Sequence, residues 1–336
     1  MSSRQLALAL QGGGSHGAYT WGVLDRLLED GRVEIEGISG ASAGAMNAVV
    51  LAHGYTVGGR EGAREALSRF WGAVSDKLGH AGIAAASAAP VPDATARAYL
   101  FLTRFFSPYQ LNPLNLNPLR DIVAEQVDFE RLRSASPVKL FISATRVSNG
   151  ALRIFSREEL TIDALLASAC IPAVHHSVEV NGAAYWDGGL TANPPLSVLF
   201  YKCSARDLLV VVLNPEGNDE VPSTAEAIGE RLSQISFSST LSAELQAIAL
   251  AKAEAERSRF SFGRLDRKLR RLNIHVLDSA QYMAGLAPAS RYNTDSGFIA
   301  ALRDEGRARA EAWLTLNIRS IGARSTAALS GPVLQS

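Results

Sequence analysis

The feature that most constrains the fold of this chain is a G-x-S-x-G pentapeptide, Gly40-Ala41-Ser42-Ala43-Gly44. A predicted strand at residues 33–38 precedes it, in which Val33, Ile35 and Ile38 are interspersed with two glutamates, and residues 45–52 after it have the composition of a helix. A strand, a sharp turn and a helix form the context of a nucleophile elbow, in which the turn lifts the serine hydroxyl clear of the backbone. The pattern therefore predicts Ser42 as a nucleophile, with a plain small-residue turn as the alternative.

A second glycine-rich sequence, Gly12-Gly13-Gly14-Ser15-His16-Gly17, lies between an apolar run at residues 6–10 and a segment of helical spacing at residues 17–31. Consecutive glycines allow backbone N–H groups to point at a bound anion without obstruction by side chains. The sequence therefore predicts an oxyanion hole formed by the N–H groups of Gly12, Gly13 and Gly14.

A dinucleotide site is the competing interpretation of the same glycines. Gly12, Gly14 and Gly17 satisfy G-x-G-x-x-G, and Glu34 lies 34 − 14 = 20 residues after Gly14, where an acid that binds ribose is expected. The second strand, however, runs directly into the elbow at Ser42 rather than into a ribose-binding loop. We therefore favour the oxyanion hole.

The third sequence of interest is Asp187-Gly188-Gly189, which follows a hairpin predicted by the Asn181-Gly182 turn between residues 178–180 and 183–186. Taken alone, an aspartate before two glycines is most often an ordinary turn residue. Beside a serine elbow and a glycine-rich loop, Asp187 becomes the natural candidate for the base that activates the serine.

The order of elements predicts an α/β fold. Strands and helices alternate from the N-terminus, which favours a parallel sheet with helices on its faces. Residues 208–214 are predicted as a strand whose first six residues form an unbroken apolar run typical of a sheet interior. We expect one domain over residues 1–321. Within it, residues 79–118 are interpreted as an insertion or lid, and residues 216–321 as a C-terminal helical extension. Residues 322–336 are expected to form a disordered tail.

The composition excludes several functional classes. Lys+Arg and Asp+Glu both number 33, and this zero net charge does not suggest a protein that binds nucleic acid. The two cysteines, Cys170 and Cys203, stand far apart in apolar sequence, and no metal-ligand spacing occurs, so we expect neither a disulfide framework, a metal nor a cofactor. No signal peptide or membrane-spanning run is recognised, which predicts a cytoplasmic protein.

The three sequences GGGSHG, GASAG and DGG occur in the order found in the patatin-like phospholipase family, which the chain resembles over about residues 4–215. Asn193-Pro194-Pro195 also resembles family members. The resemblance implies a three-layer α/β/α sandwich with a central, mostly parallel sheet. It also implies a Ser42–Asp187 dyad in place of a triad, with these supporting residues: Gly12, Gly13 and Gly14 in the oxyanion hole, and Gly17, Gly40, Gly44, Gly188 and Gly189 in the motifs.

The activity that this resemblance implies is hydrolysis of carboxylic esters in phospholipids or related lipids through an acyl-enzyme, with peripheral contact with a membrane. The chain departs from the family at His16, where the loop commonly carries arginine. Two alternatives stay open: a dinucleotide-binding oxidoreductase that uses Gly12, Gly14 and Gly17, and an inactive module that binds lipid. The head group, the acyl position and the oligomeric state are not predicted.

Overall fold

The structure is a computed structural model that describes residues 4–81, 102–103, 105–213, 221–257 and 263–327. Within these ranges the chain forms one sheet of eight strands. The strands are β1 Arg4–Leu10, β2 Val33–Gly40, β3 Lys139–Arg146, β4 Leu152–Ser156, β5 Val178–Val180, β6 Ala183–Asp187, β7 Asp207–Val212 and β8 Asn273–Asp278.

The helices lie between and around these strands. In chain order they are α1 Gly17–Asp30, α2 Ala43–Ala81, α3 Pro108–Leu111, α4 Pro118–Gln126, α5 Phe129–Ala135, α6 Ile162–Ser168, α7 Ser197–Lys202, α8 Ala225–Arg257, α9 Arg264–Arg271, α10 Ala280–Met283 and α11 Ser296–Asn317. Short 3-10 turns follow β1 and β6, and another spans Pro288–Tyr292.

The sheet runs in the order β5-β6-β3-β2-β1-β7-β8, with β4 also paired to β3. Strands β3, β2, β1, β7 and β8 are parallel to one another, whereas β4, β5 and β6 pair antiparallel. Strand β1 lies in the middle, between β2 and β7. The expected mostly parallel sheet is therefore confirmed, and its carboxyl edge gathers the loops that follow β1 and β2.

Helices cover both faces of the sheet, because successive side chains of a strand point to opposite faces. The leucines of β1, Leu6, Leu8 and Leu10, belong to one buried cluster with α1, α2 and α11. Ala7 and Ala9 belong to a second cluster with α7, α8 and α9. These two cores on opposite faces confirm the three-layer α/β/α architecture.

Local sequence explains where several elements begin and end. Helix α1 stops at Gly31, which adopts the left-handed conformation with φ 74°. Helix α11 begins after Asp295, whose carboxylate accepts a hydrogen bond from the N–H of Phe298. The Asn181-Gly182 turn has φ 51° and 75°, as the predicted hairpin requires. The helices expected at residues 45–52 and 61–78 form one bent helix, α2, with non-helical backbone at Gly58 and Gly59.

Two predicted segments lie partly outside the described residues. Of the expected insertion at residues 79–118, residues 82–101 and 104 fall outside, and the rest contains α3 followed by irregular chain up to Pro118. Of the expected tail, residues 328–336 fall outside. Residues 322–327 differ from that prediction, because they hydrogen bond to the sheet edge: the N–H groups of Thr326 and Ala327 both donate to the carbonyl of Ile274 at 3.1 Å.

Candidate active site

The glycine-rich loop and the serine elbow begin side by side at the carboxyl edge of the sheet. In the parallel ladder between β1 and β2, Leu10 pairs with Gly40. The chain therefore leaves both strands at the same level, and Gly12 comes to lie beside Ser42. A Cβ atom added at Gly12 would stand 2.7 Å from the Cβ atom of Ser42 and 2.8 Å from the carbonyl of Ala41. Only glycine fits this approach.

The elbow has the strained geometry that its sequence predicts. Ser42 has φ 53°, a left-handed conformation that is uncommon for residues other than glycine. A Cβ atom at Gly40 would stand 2.7 Å from the carbonyl carbon of Gly44, which explains the two flanking glycines. The N–H of Ser42 donates to the carbonyl and the hydroxyl of Ser168, at 3.1 and 3.0 Å. These contacts hold the turn in place, and Ser42 is only 7% exposed.

Asp187 ends strand β6 and is fully buried. Its N–H donates to the carbonyl of Cys170 at 2.8 Å, and its Oδ1 atom accepts from the N–H of Gly189 at 2.7 Å. The Oδ2 atom makes no hydrogen bond of normal geometry with any described residue. The hydroxyl of Ser42 nevertheless lies close enough to the carboxylate to lower its pKa. The structure thus brings Ser42 and Asp187 together.

Burial dominates the electrostatics of this carboxylate. It raises the pKa of Asp187 to about 7, against the opposing effects of the Gly189 N–H and the Ser42 hydroxyl. The cause is desolvation, which penalises the charged form of a buried acid. Near neutral pH, the carboxylate therefore exchanges its proton readily, as a general base should.

The three glycines proposed for an oxyanion hole differ in their contacts. The N–H of Gly12 donates to Oδ1 of Asn193 at 2.7 Å. For the N–H groups of Gly13 and Gly14, no acceptor is found within the described part of the chain. Gly14 has φ 60°, and a Cβ atom there would overlap the carbonyl of Arg291. Ala43, the residue after Ser42, is the first residue of helix α2. Its N–H therefore has no acceptor within the helix.

The remaining motif glycines pack against the same loops. Gly17 begins α1 against Ala43, and Gly188 lies against the backbone of Ser143 on β3. Gly189 follows Gly188 and lies against the ring of Phe237 on α8, where an added Cβ atom would stand 2.5 Å from the ring. Each of these positions therefore admits no larger side chain without movement of a neighbour.

Asn193 is a site residue whose contacts the sequence does not reveal. It is fully buried, and while its Oδ1 atom accepts from Gly12, its amide nitrogen donates to the carbonyl of Phe237 at 2.8 Å. One side chain thus holds the glycine-rich loop next to Ser42 and ties that loop to helix α8. In the sequence, only the Asn193-Pro194-Pro195 motif draws attention to this residue, and the motif does not indicate what the side chain does.

The histidines are the possible third members of a triad. Among the histidines whose side chains the structure describes, none hydrogen bonds to Ser42 or Asp187. His16, which replaces the usual arginine, makes a 2.8 Å hydrogen bond with the hydroxyl of Ser290. Burial, with a smaller effect from Arg291, lowers the pKa of His16 to about 4. His16 is therefore neutral near pH 7, and the positive charge near the loop belongs to Arg291.

Two C-terminal segments cover the site, and we refer to helix α8 together with the turn Pro288–Tyr292 as the C-terminal cap. Phe237 of the cap packs on Gly189, and Arg291 packs on Gly14. Burial raises the pKa of Tyr292, and the charge of Asp187 contributes to this rise, which places Tyr292 within electrostatic reach of the dyad. The cap explains why Ser42 and Asp187 are so little exposed.

The residues required for a dinucleotide site are not brought together. Glu34 lies near the start of β2, where it pairs with Gln5. The glycine-rich loop follows the other end of β1. Gly40 lies six positions after Glu34 along the strand, a length of about 20 Å at 3.3 Å per residue. Glu34 is therefore too far away to bind a ribose whose phosphates occupy the glycine-rich loop.

The described ranges contain neither a cluster of metal-binding side chains nor a membrane-spanning helix. No group of three or more histidine, cysteine, aspartate or glutamate side chains in them is arranged to hold a metal ion. None of the helices in them combines the length and the apolar character needed to cross a membrane.

Comparison with known proteins gives a family and several distant structures. The sequence model of the family described as patatin-like phospholipase matches residues 8–200, more than half of the chain. No curated protein sequence matches. VipD from Legionella pneumophila is 15% identical, with 94% of this chain and 67% of that chain covered and a TM-score of 0.44. ExoU–SpcU from Pseudomonas aeruginosa is 18% identical, with 94% and 78% covered and a TM-score of 0.33.

Proposed function

The chain belongs to the patatin-like phospholipase family, and from this premise we propose that it is a serine acyl hydrolase that cleaves carboxylic ester bonds of phospholipids or related lipid esters. Membership in the family supports lipid hydrolase activity. The Ser42–Asp187 dyad and the acyl-enzyme are the finer parts of the proposal. The observation that carries them is the pairing of a serine in a strained elbow with a buried carboxylate.

In the first half of the reaction, Ser42 Oγ attacks the ester carbonyl carbon while Asp187 takes the hydroxyl proton. A tetrahedral intermediate forms, and its collapse breaks the bond to the alcohol of the lipid. Asp187 returns the proton to that leaving alcohol, which departs. The fatty acyl group stays on Ser42 as an ester.

In the second half, water replaces the alcohol. Asp187 takes a proton from the water, and the resulting hydroxide attacks the acyl-enzyme. Collapse of the second tetrahedral intermediate returns the proton to Ser42 Oγ and releases the fatty acid. The pKa of about 7 suits both halves of this cycle, because one group must accept and then donate a proton near neutral pH.

The oxyanion of both intermediates is stabilised by backbone N–H groups. We assign this role to Gly13 and Gly14, whose N–H groups have no acceptor among the described residues, with help from the N-terminus of α2. Gly12 contributes by position, since its own N–H is occupied by Asn193. One donor of this kind contributes about 3–4 kcal/mol to stabilisation of the transition state.

The test is release of fatty acid from phosphatidylcholine, followed by mass spectrometry. Ser42→Ala should reduce the release to background, because alanine fits the elbow and removes only the nucleophile. Ser39→Ala is the matched control: Ser39 is also buried, three residues upstream, and its hydroxyl has no partner within the described residues. Ser39→Ala should keep the activity. Equal loss in both variants, or full activity in Ser42→Ala, would exclude the assignment.

Fatty acid release and two binding measurements together separate the two alternatives. If the protein is an inactive lipid-binding module, it binds phospholipid vesicles, but no fatty acid is released by the unmodified protein, by Ser42→Ala or by Ser39→Ala. A dinucleotide-binding oxidoreductase binds NAD or FAD, which equilibrium dialysis detects without lipid. We expect fatty acid release by the unmodified protein and no retention of either dinucleotide.

A further inference from the structure

Large apolar side chains are concentrated on the surface between residues 105 and 116, which we call the apolar loop. Five of them are exposed to solvent, namely Phe105, Phe106, Tyr109, Leu114 and Leu116. Leu114 alone is 78% exposed. Isolated apolar side chains on a surface need no explanation, but five exposed ones within twelve residues of sequence exceed that pattern.

The apolar loop is attached firmly at one point. The ring of Tyr109 stacks on the ring of His176, with 4.0 Å between their centroids. The N–H of Ser177 donates to the hydroxyl of Tyr109 at 3.2 Å, and a ring nitrogen of His176 lies 3.2 Å from the carbonyl of Pro108. These contacts hold the loop in a defined place beside residues 176 and 177.

That place adjoins the catalytic carboxylate. The thiol of Cys170 donates to the carbonyl of His176 at 2.9 Å, and the N–H of Asp187 donates to the carbonyl of Cys170 at 2.8 Å. Two hydrogen bonds therefore connect the residue that supports the apolar loop with the proposed base. A partner that binds the apolar loop would therefore lie on the same side of the molecule as the candidate site.

The charge of the surrounding sequence indicates the kind of partner. In the sequence, the stretch of residues 94–119, between Asp93 and Arg120, contains two arginines and no aspartate or glutamate; the arginines, Arg97 and Arg104, lie outside the described residues. A segment with apolar side chains, positive charge and no acid is complementary to a surface that combines hydrocarbon with negative charge. A membrane that contains anionic phospholipid has both properties.

We propose that the apolar loop docks the protein on anionic phospholipid membranes, with Phe105, Phe106 and Leu114 inserted at the interface beside the site. This inference rests on the proposed function, because a membrane is where a lipid hydrolase meets its substrate. Binding itself requires no catalysis. It is therefore measured in the Ser42→Ala protein, so that loss of hydrolysis and loss of docking are observed separately.

The experiment is sedimentation with sucrose-loaded vesicles, either of phosphatidylcholine alone or of phosphatidylcholine mixed with phosphatidylserine. The Ser42→Ala protein should bind the mixed vesicles more tightly than the neutral ones. Adding Leu114→Asp should weaken binding to mixed vesicles by about tenfold, since a carboxylate would have to enter the interface. Adding Phe105→Asp as well should reduce binding to background.

Leu316→Asp in the same background is the matched control. Leu316 is 79% exposed, as Leu114 is, but it lies on α11, 316 − 298 = 18 residues after Phe298. Phe298 contacts His16 of the glycine-rich loop, with ring centroids 6.4 Å apart. At about 1.5 Å per residue, Leu316 is about 27 Å from that contact. Leu316→Asp should bind vesicles as the parent does.

Three results would overturn the proposal. One is failure of the parent protein to bind either kind of vesicle. Another is equal loss of binding in Leu114→Asp and Leu316→Asp, both shown to be folded by circular dichroism. The third is a change of oligomeric state in Leu114→Asp with unchanged vesicle binding, measured by light scattering, since the loop would then join two copies of the chain.

Discussion

The loops that hold Ser42, Asp187 and the three glycines differ from the C-terminal cap in how far apart in the sequence the residues that determine their structure lie. Each loop follows a strand and is specified by a few adjacent small residues, because neighbouring backbones approach too closely for larger side chains. The cap meets those loops through residues that are distant in sequence, such as Arg291 against Gly14 and Phe237 against Gly189. The comparison suggests that the loops supply the chemistry and that the cap supplies the dry surroundings in which the chemistry works.

Replacement of the proposed base should have the largest effect on activity. Asp187→Asn keeps the shape of the side chain but removes the acceptor of the serine proton, so kcat should fall by about 10³-fold. KM should change little, because the substrate does not bind through this carboxylate. Steady-state kinetics on a soluble p-nitrophenyl ester will measure both. A loss below tenfold would mean that Asp187 is not the base.

The same variant should be more stable than the unmodified protein at high pH. The pKa of Asp187 is about 7 in the folded protein, against an ordinary value of 3.8. Between these values the folded protein binds more protons than the unfolded chain, so stability falls as pH rises through this window. Asp187→Asn should therefore raise Tm at pH 8 by several degrees, with the difference shrinking towards pH 4. A lower Tm at pH 8 would contradict the burial argument.

A methyl group at Gly12 should cause the next largest loss. Gly12→Ala would place Cβ within 2.7 Å of the Cβ atom of Ser42, so either the loop or the nucleophile must move. A displacement of about 1 Å costs about 10²-fold in kcat. Gly72→Ala is the control, because nothing lies within 4 Å of that position on α2. If both variants keep full activity, the close approach of loop and serine has no catalytic importance.

Asn193 joins the two regions, and its loss should have an intermediate effect. Asn193→Ala removes two hydrogen bonds, the one from the N–H of Gly12 to Asn193 and the one from Asn193 to the carbonyl of Phe237. One missing buried hydrogen bond corresponds to about tenfold in rate if it positions the reacting groups. We expect kcat to fall by that factor. Unchanged kinetics with a reduced Tm would assign Asn193 a purely structural role.

The smallest effect is expected from the cap. For the unmodified protein, kcat/KM should decrease as pH falls through about 7, the pKa of Asp187, because the protonated carboxyl is no longer a base. Phe237→Ala admits water beside Gly189, so burial raises the pKa of Asp187 less and the acid limb should move to lower pH by about half a unit. An unmoved limb would show that the cap does not control the dielectric around the dyad.

Much of the fold, and the local geometry at the core of the candidate site, could be predicted from local sequence. The elbow, the glycine-rich loop and the hairpin before Asp187 each combine a turn with residues that only that turn accommodates, so a short stretch is informative. A buried strand is equally visible in the sequence: after Asp207, the other five residues of β7 are all apolar, because both faces of the strand are covered.

The remaining features depend on contacts that no short stretch encodes. Helix α9, Arg264–Arg271, contains six charged residues in eight, so composition alone gives little indication of its one buried residue, Leu269. The cap, likewise, is a long helix and a short turn whose roles depend on contact with Gly189 and Gly14. The role of Asn193 could not be foreseen, because its two partners are Gly12, 181 residues away, and Phe237, 44 residues away.

The most direct test of the central claim is covalent labelling with a fluorophosphonate, which reacts with an activated serine and leaves a stable adduct. The proposed dyad predicts one adduct, on the peptide that contains Ser42, absent in Ser42→Ala and strongly slowed in Asp187→Asn. The labelling rate should decrease as pH falls through about 7. Hydrolysis of lipid by a preparation in which Ser42 stays unlabelled, or an adduct on another residue that abolishes the activity, would contradict the account.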